Sequence, residues 1–313
     1  MARIPDRAVH NERQRLSRRG CLKLGGLTAA GMAVAAASAW YARRVAPRGL
    51  EVTTFDLHLP DLRPELDGVR IAHLSDLHAS DIVGPEWIRH SVDEVNTFEP
   101  DLACLTGDFV YRSAGWARGC AAELSRLKAP AGAFAVLGNH DLWNGAHAIA
   151  SALVQAGIRV LRNEGEGVRV REARLWIIGL EDPGLSCLDD DRGWDGMRQA
   201  WAAARMVATD VLAGVPSTEP SLLLVHNPDF MEMMGDQPVD LALAGHTHGG
   251  QVVLPFLGPL LLPSCFGEKY ASGLVQSPGG PVYVSRGIGL IEPAVRWNCP
   301  PEAAVITLRR GQG

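Results

Sequence analysis

A layered α/β domain is predicted for residues 49–313, and three observations predict it. Short apolar runs rich in β-formers alternate with longer stretches whose apolar residues recur near every 3.6 positions. No internal repeat, low-complexity tract or long linker divides the region. Five of the apolar runs end abruptly in Asp, Asn or His, as strands do when a ligand site lies beyond their carboxyl ends. In chain order, residues 50–59 alternate as a strand with Leu50, Val52 and Thr54 on one face, and residues 69–74 form a second strand. Helical spacing covers 86–98, 117–127, 146–156 and 194–212. Between these lie strand-like runs at 102–105 and 134–137 and an apolar run at 176–180 that opens into a loop at Glu181-Asp182-Pro183. The last third is strand-rich, at 221–225, 241–244, 251–254, 282–285 and 304–308.

The chain has 313 residues, 47% hydrophobic and 21% charged, which excludes a disordered, collagen-like or multi-span membrane protein. Its formal charge of −5 conceals two unlike parts. Residues 1–48 carry ten Lys/Arg against Asp6 and Glu12, a net of +8, while the remaining 265 residues carry 20 basic and 33 acidic side chains, a net of −13. The first part reads as an export signal. A basic stretch ending in Ser17-Arg18-Arg19-Gly20-Cys21-Leu22-Lys23 precedes 19 uncharged residues, Leu24 to Ala42, with Ala37-Ser38-Ala39 where a small-residue cleavage site belongs. Paired arginines ahead of a weakly apolar segment resemble the twin-arginine signal, which hands folded cargo to the twin-arginine export machinery, although Cys21 stands where an aromatic usually follows the pair. The segment approaches the ~20 residues that span a bilayer, so it is either cleaved after Ala39 or retained as a membrane anchor. The expected location is the periplasm or the extracytoplasmic face of the cytoplasmic membrane. Six cysteines, without a C-x-x-C pair and reduced to five by cleavage, suggest no disulfide scaffold, and Cys104 reads as a small buried hydrophobe.

The five run ends are chemically alike. The runs 69–74, 102–105, 134–137, 222–225 and 241–244 lead into Ser75-Asp76-Leu77-His78, Thr106-Gly107-Asp108, Gly138-Asn139-His140-Asp141, His226-Asn227-Pro228 and Gly245-His246-Thr247-His248. Side by side in an open sheet, they would place Asp76, His78, Asp108, Asn139, His140, His226, His246 and His248 in one crevice. Oxygen and nitrogen donors without thiolate suit Mn, Fe or Zn, and two carboxylates, one amide and even four of the five imidazoles exceed the needs of one ion, so two divalent ions fit the count. Asp-x-His and His-x-His are expected to present both donors to one side, because alternate strand residues point the same way. Glycines before Asp108, Asn139 and His246 permit close backbone approach. The isolated His58, His73, His90 and His147 read as surface or satisfied core residues.

These blocks, D-x-H, G-D, G-N-H-[DE], H and G-H-x-H in that order, strongly resemble the calcineurin-like metallophosphoesterase superfamily over about residues 69–250. The resemblance implies a four-layer α/β/β/α sandwich with a dinuclear metal centre. By it, Asp76, His78 and His248 hold the first metal, Asn139, His226 and His246 hold the second, and Asp108 bridges both. A narrower resemblance, to an exported or membrane-anchored branch, runs through Gly249-Gly250-Gln251 to Tyr283-Val284-Ser285-Arg286-Gly287-Ile288-Gly289 and Asn298-Cys299-Pro300-Pro301-Glu302. The implied activity is phosphoester hydrolysis: paired ions ~3.5–4 Å apart lower the pKa of a water towards ~7 for in-line attack, and His140 acts on the leaving group. In several relatives the G-D block continues as G-D-x-x-D-R, its second Asp orienting that histidine and its Arg binding phosphate. Here it is Gly107-Asp108-Phe109-Val110-Tyr111-Arg112, so another group, with Asp141 as candidate, must orient His140, while Arg112 remains the phosphate ligand. Asp141 equally suits helix capping, and Arg286 suits either a structural turn or the site.

Residues 252–263 are almost wholly apolar and broken by three prolines and a glycine, so they form no single regular element. They are either a buried strand followed by an apolar loop packed on the sandwich, or an exposed lip that touches acyl chains or a membrane surface. Combined with an export segment, a lip favours a phosphorylated lipid substrate, a lipid-linked phosphodiester or pyrophosphate such as a UDP-diacylglucosamine-like glycolipid. The alternatives are a phosphomonoesterase or nuclease of the same superfamily, or a non-catalytic metal-binding envelope protein. An acidic domain, in a chain with three lysines and no basic stripe, opposes nucleic acid as a partner.

Overall fold

Alternation of apolar side chains along each strand decides which layer each face meets. The computed structural model describes residues 32–184, 193–235 and 239–311. Its first six-stranded sheet has the order β1-β14-β2-β3-β4-β5, built from Glu51–Leu59 (β1), Arg70–Leu74 (β2), Leu102–Thr106 (β3), Ala133–Val136 (β4), Arg159–Val160 (β5) and Glu302–Arg310 (β14). The second has the order β12-β13-β9-β8-β7-β6, from Glu164–Val170 (β6), Ala173–Gly179 (β7), Ser221–Leu224 (β8), Leu241–Ala244 (β9), Gly273–Ser277 (β12) and Gly280–Val284 (β13). Val253–Leu254 (β10) and Gly258–Pro259 (β11) form a separate antiparallel hairpin. β2 to β5 are parallel, as are β13, β9, β8 and β7. Strands in parallel sheets are buried on both faces, which is why they read as near-continuous apolar runs.

Residues 32–44 are helical (α1) and include Ala37-Ser38-Ala39. The paired Arg18-Arg19 lie outside the described residues, and among the described residues no helix is long and apolar enough to cross a membrane. Ala42–Gly313 forms one compact unit. Its helices are α2 (Pro85–Asn96), α3 (Ala117–Leu124), α4 (Asn139–Gln155), α5 (Gly193–Ala213) and α6 (Met231–Met234). Ile71, Leu102 and Cys104 meet Ile177, Leu222 and Leu224 between the sheets. Their neighbours Ala72, Ala103 and Leu105 turn outward to Ile88, Val92, Leu124 and Leu153 on α2, α3 and α4. Leu223 and Ala242 turn the other way, to Trp201 and Ala208 on α5 and Met231 and Met234 on α6. The layers are therefore α/β/β/α.

Several boundaries differ from expectation for identifiable reasons. The helix read from 146 begins at Asn139 and kinks at Gly145 (φ 122°, ψ 65°), so its polar first half carries no apolar period. The edge strands β6 and β12 were not expected, because their exposed faces interrupt the apolar pattern. The strand read over 251–254 shrinks to two residues, and the segment after it is not packed on the sandwich: Phe256 is fully exposed, Leu257 is 73% exposed, and Leu260 and Leu261 are each 61% exposed. Of the two arrangements open for this segment, the protruding one is observed. Cys104 is free and buried, as expected, and Cys265 is disulfide-bonded.

Candidate metal centre

The donor-bearing run ends come from two sheets, not one. β2, β3 and β4 deliver Asp76, His78, Asp108 and Asn139 from the first sheet, and β8 and β9 deliver His226, His246 and His248 from the second. The side-by-side arrangement expected of a single open sheet is thereby replaced by two groups of strand ends meeting at one edge of the sandwich. Strand alternation is not what aims the paired donors either, because β2 stops at Leu74 and β9 at Ala244. Asp76 (φ 53°), His78 (47°), Asp108 (55°), His246 (69°) and His248 (53°) all lie in the left-handed region, and the repeated turn is what brings i and i+2 to the same side. Such backbone costs of order 1–3 kcal/mol per residue and persists only where its surroundings over-determine it. Here the Asp76 N–H donates to the Gly107 carbonyl (3.0 Å), the His78 N–H to the Asp108 carbonyl (2.9 Å), and the Gly289 N–H to the Asp76 carbonyl (2.7 Å). Two glycines allow the approach: a Cβ on Gly138 would meet Asp108 Oδ1 at 2.3 Å, and one on Gly245 would meet Ser75 Oγ at 1.9 Å.

All seven expected donors are buried and fall into two groups. In the first, His248 Nε2 lies 3.3 Å from Asp76 Oδ1 and 2.9 Å from His78 Nε2. In the second, Asn139 Oδ1 lies 3.0 Å from both His226 Nε2 and His246 Nδ1. Asp108 Oδ2 stands between them, 3.5 Å from His78 Nε2 and 3.2 Å from His226 Nε2. Burial drives the pKa of His78 and of His246 down to about 3 and that of His248 well below its ordinary value, so these rings are neutral and keep lone pairs for a cation. Burial is the largest influence on His226 and works against its charge, but the carboxylates of Asp108, Asp76 and Asp182 together outweigh it and push its pKa up, while the surrounding imidazoles hold Asp108 well below the carboxylate range despite its burial. Three neutral imidazoles, the His226 ring paired with Asp108, one amide oxygen and two carboxylates, with no thiolate, fit hard or borderline divalent ions.

His140 flanks the first group, with a ring nitrogen within 4.8 Å of donor atoms on His78 and Asp108. Asp141 does not orient it. Its buried carboxylate instead accepts from the N–H groups of Phe109 (2.9 Å), Val110 (3.3 Å) and Gly138 (3.0 Å), capping α4 and fastening the loop after Asp108. The His140 ring is held by aromatic neighbours, Tyr111 at 5.5 Å and Trp143 at 4.9 Å between centroids, so Tyr111 packs against the ring that an aspartate orients in several relatives. Arg112 is engaged at the rim, pairing with Glu292 (2.8 Å) and lying over the Tyr111 ring (4.8 Å). Arg286 is structural, pairing with Glu302 and Glu51. Sequence reasoning missed Arg296, a fully buried guanidinium that donates to the carbonyls of Arg286 (2.9 Å), Gly287 (3.0 Å) and Gly289 (2.8 Å). It holds the loop whose Gly289 N–H supports Asp76, and a lone arginine between strands carries no periodic signal that would have found it.

A cavity of about 750 Å³ opens above the donors. Asp108, Asn139, His140, His246 and His248 line it, together with the apolar Val252, Leu260, Leu261, Pro263 and Val295.

The sequence profile of the calcineurin-like phosphoesterases matches residues 69–250. The chain belongs to the calcineurin-like phosphoesterase family. Its relatives include the uncharacterised metallophosphoesterase YkuE of Bacillus subtilis, 32% identical over 95% of this chain and 99% of that protein. Phosphodiesterase YaeI of Escherichia coli is 32% identical over 76% of this chain and 82% of its own length. The UDP-2,3-diacylglucosamine pyrophosphatase LpxG of Chlamydia muridarum is 26% identical over 85% and 91%. Members of this family use a dinuclear divalent metal centre and hydrolyse phosphoester bonds, and this chain is such a hydrolase.

Proposed function

We propose that the protein is an envelope phosphoester hydrolase acting on a lipid-linked phosphodiester or pyrophosphate. Asp76, His78 and His248 would hold one divalent ion and Asn139, His226 and His246 the other, with Asp108 shared by the two groups, the metals being Mn, Fe or Zn. One observation carries this reading: four of the seven buried donors, Asp108, Asn139, His246 and His248, line a cavity that the apolar Val252, Leu260, Leu261, Pro263 and Val295 also line. When bound, a pair of divalent ions neutralises phosphate and supplies a water acidic enough to attack at neutral pH. The chain's own side chains do the rest. His140, beside His78 and Asp108, stands over the leaving-group side and passes it a proton. Tyr111 and Trp143 fix the plane of that imidazole. Arg112 takes the substrate phosphate in exchange for Glu292, one anion replacing another on the same guanidinium. The rim of Leu260 and Leu261 excludes water and accommodates an acyl chain.

The relative named as a UDP-2,3-diacylglucosamine pyrophosphatase supports a diacylated substrate. The basic, then apolar N-terminus supports export through the twin-arginine machinery to the periplasm or the outer face of the cytoplasmic membrane, and the disulfide at Cys265 suits an oxidising compartment. The test is hydrolysis of an aryl phosphodiester and of a diacylated sugar nucleotide by protein loaded with Mn, Fe or Zn. His140→Ala is expected to lower kcat by ~10²–10⁴-fold with metal content unchanged. No hydrolysis above that variant with any of these metals would leave a non-catalytic metal-binding protein.

A further inference from the structure

The tip of the β10–β11 hairpin has no part in the site. Phe256 and Leu257 do not line the cavity, yet Phe256 is fully exposed and Leu257 largely so. Folding does not call for them. Phe256 sits in the left-handed region (φ 66°), where an aromatic residue is strained and glycine or asparagine is not. The base of the hairpin is fastened: the Val253 N–H donates to the Trp297 carbonyl (2.9 Å), and the Leu260 N–H donates to the Val252 carbonyl (3.0 Å). A held apolar wedge therefore projects from the same segment whose next residues, Leu260 and Leu261, form the cavity wall.

We infer that this hairpin is a membrane-docking element: Phe256 and Leu257 enter the acyl layer of a lipid surface and set the mouth of the metal-lined cavity at the level of lipid headgroups. Area favours a bilayer over a protein partner. A stable protein interface buries roughly 800 Å² per partner, more than a two-residue tip offers, whereas a fluid bilayer closes around a protrusion. Charge predicts the mode of binding. The region beyond residue 48 carries a net −13, and the Glu268 carboxylate lies beside Gly258, so attachment is apolar and anionic lipid does not strengthen it. The inference rests on the lipid-substrate reading of the site only for its kinetic consequence.

The test uses the full chain and vesicles of phosphatidylcholine brominated on the acyl chains, with and without phosphatidylglycerol. In Phe256→Trp, the added emission relative to the parent is expected to shift to the blue and be quenched several-fold with the neutral vesicle as well as with the anionic one. The added emission of Val154→Trp, exposed at the end of α4, is expected to stay unquenched and so to discount binding by the N-terminal segment. Unquenched emission at 256 overturns the inference, as does self-association abolished by Phe256→Ser/Leu257→Ser without quenching, which would assign the tip to a second copy. The same double variant should lose about tenfold or more in kcat/KM on a vesicle-held phosphodiester lipid and stay within about twofold on a soluble aryl phosphodiester. Equal losses on both overturn the inference while leaving the hydrolase reading intact. Quenching at 256 in a protein that hydrolyses neither substrate sinks the hydrolase reading and leaves the docking element standing.

Discussion

The polar and the apolar linings of the cavity are built on opposite principles. The polar floor is buried, its backbone is strained at five donors, and hydrogen bonds to other segments hold each of them, His246 through the Asp76 carboxylate and His248 through the Cys299 thiol. The apolar rim is exposed and held only at its base. A floor made this way gives one geometry and tolerates little, which suits chemistry that depends on atomic positions. A rim made the other way is adjustable without disturbing the floor, which suits selection among substrates.

Breaking the floor should have the largest effects. Asp108→Ala removes the carboxylate that stands between both donor groups. It should lower kcat by more than the ~10²–10⁴-fold of His140→Ala and, unlike that variant, lower the bound metal found by elemental analysis. Retained metal at both sites would show that the two groups do not depend on Asp108. Gly245→Ala tests the tight fit directly, since its Cβ would stand 1.9 Å from Ser75 Oγ and 2.1 Å from Asp76 Oδ2. Urea unfolding should report ~1–3 kcal/mol of lost stability from overpacking, together with weaker metal retention.

Changes at the rim should be milder and of another kind. Leu260→Ala and Leu261→Ala should each raise KM for a diacylated substrate several-fold with kcat unchanged, and shift stability by no more than ~0.5 kcal/mol, as expected of exposed positions. A fall in kcat on a soluble diester would mean that rim and floor are coupled. A different readout, the pH dependence of stability, tests the anchor beyond the rim. Asp229 accepts from Ser264 Oγ (2.5 Å) and from the Cys265 N–H (2.7 Å), and burial raises its pKa to about 6 despite those bonds. Because folding favours the protonated form, its contribution to stability is full below the unfolded value of ~3.9 and is lost as pH rises through about 6. The stability difference between wild type and Asp229→Asn should therefore change across that window by up to ~3 kcal/mol in urea unfolding, and a flat difference would show that this carboxyl does not titrate there.

Legibility followed the same division. The buried parallel strands were readable because both faces of each are apolar, as in 222–225, and the donors were readable because metal-binding side chains ended those runs. Edge strands β6 and β12 were not, since solvent-facing residues in each interrupt the pattern. The first half of α4 was missed because it starts on the polar Asn139-His140-Asp141, whose side chains serve the site and the adjoining loop. Arg296 had no signal at all, because its burial depends on carbonyls of a loop that folds back over it.

Residue type and spacing alone determined which donors exist, how many ions they suit, that the strands bearing them are buried, and that the folded region is acidic. These are local properties of short segments. Only the tertiary structure decided that the donors divide between two sheets, that Asp108 stands between the groups, that aromatic rings and not Asp141 hold His140, that Arg112 answers Glu292, and that residues 252–263 protrude instead of packing. Each of these depends on chain segments far apart in sequence, as when the His246 N–H meets the Asp76 carboxylate across 170 positions. Which surfaces meet at that range follows from how the layers pack, and the composition of a segment does not state whether anything will cover it.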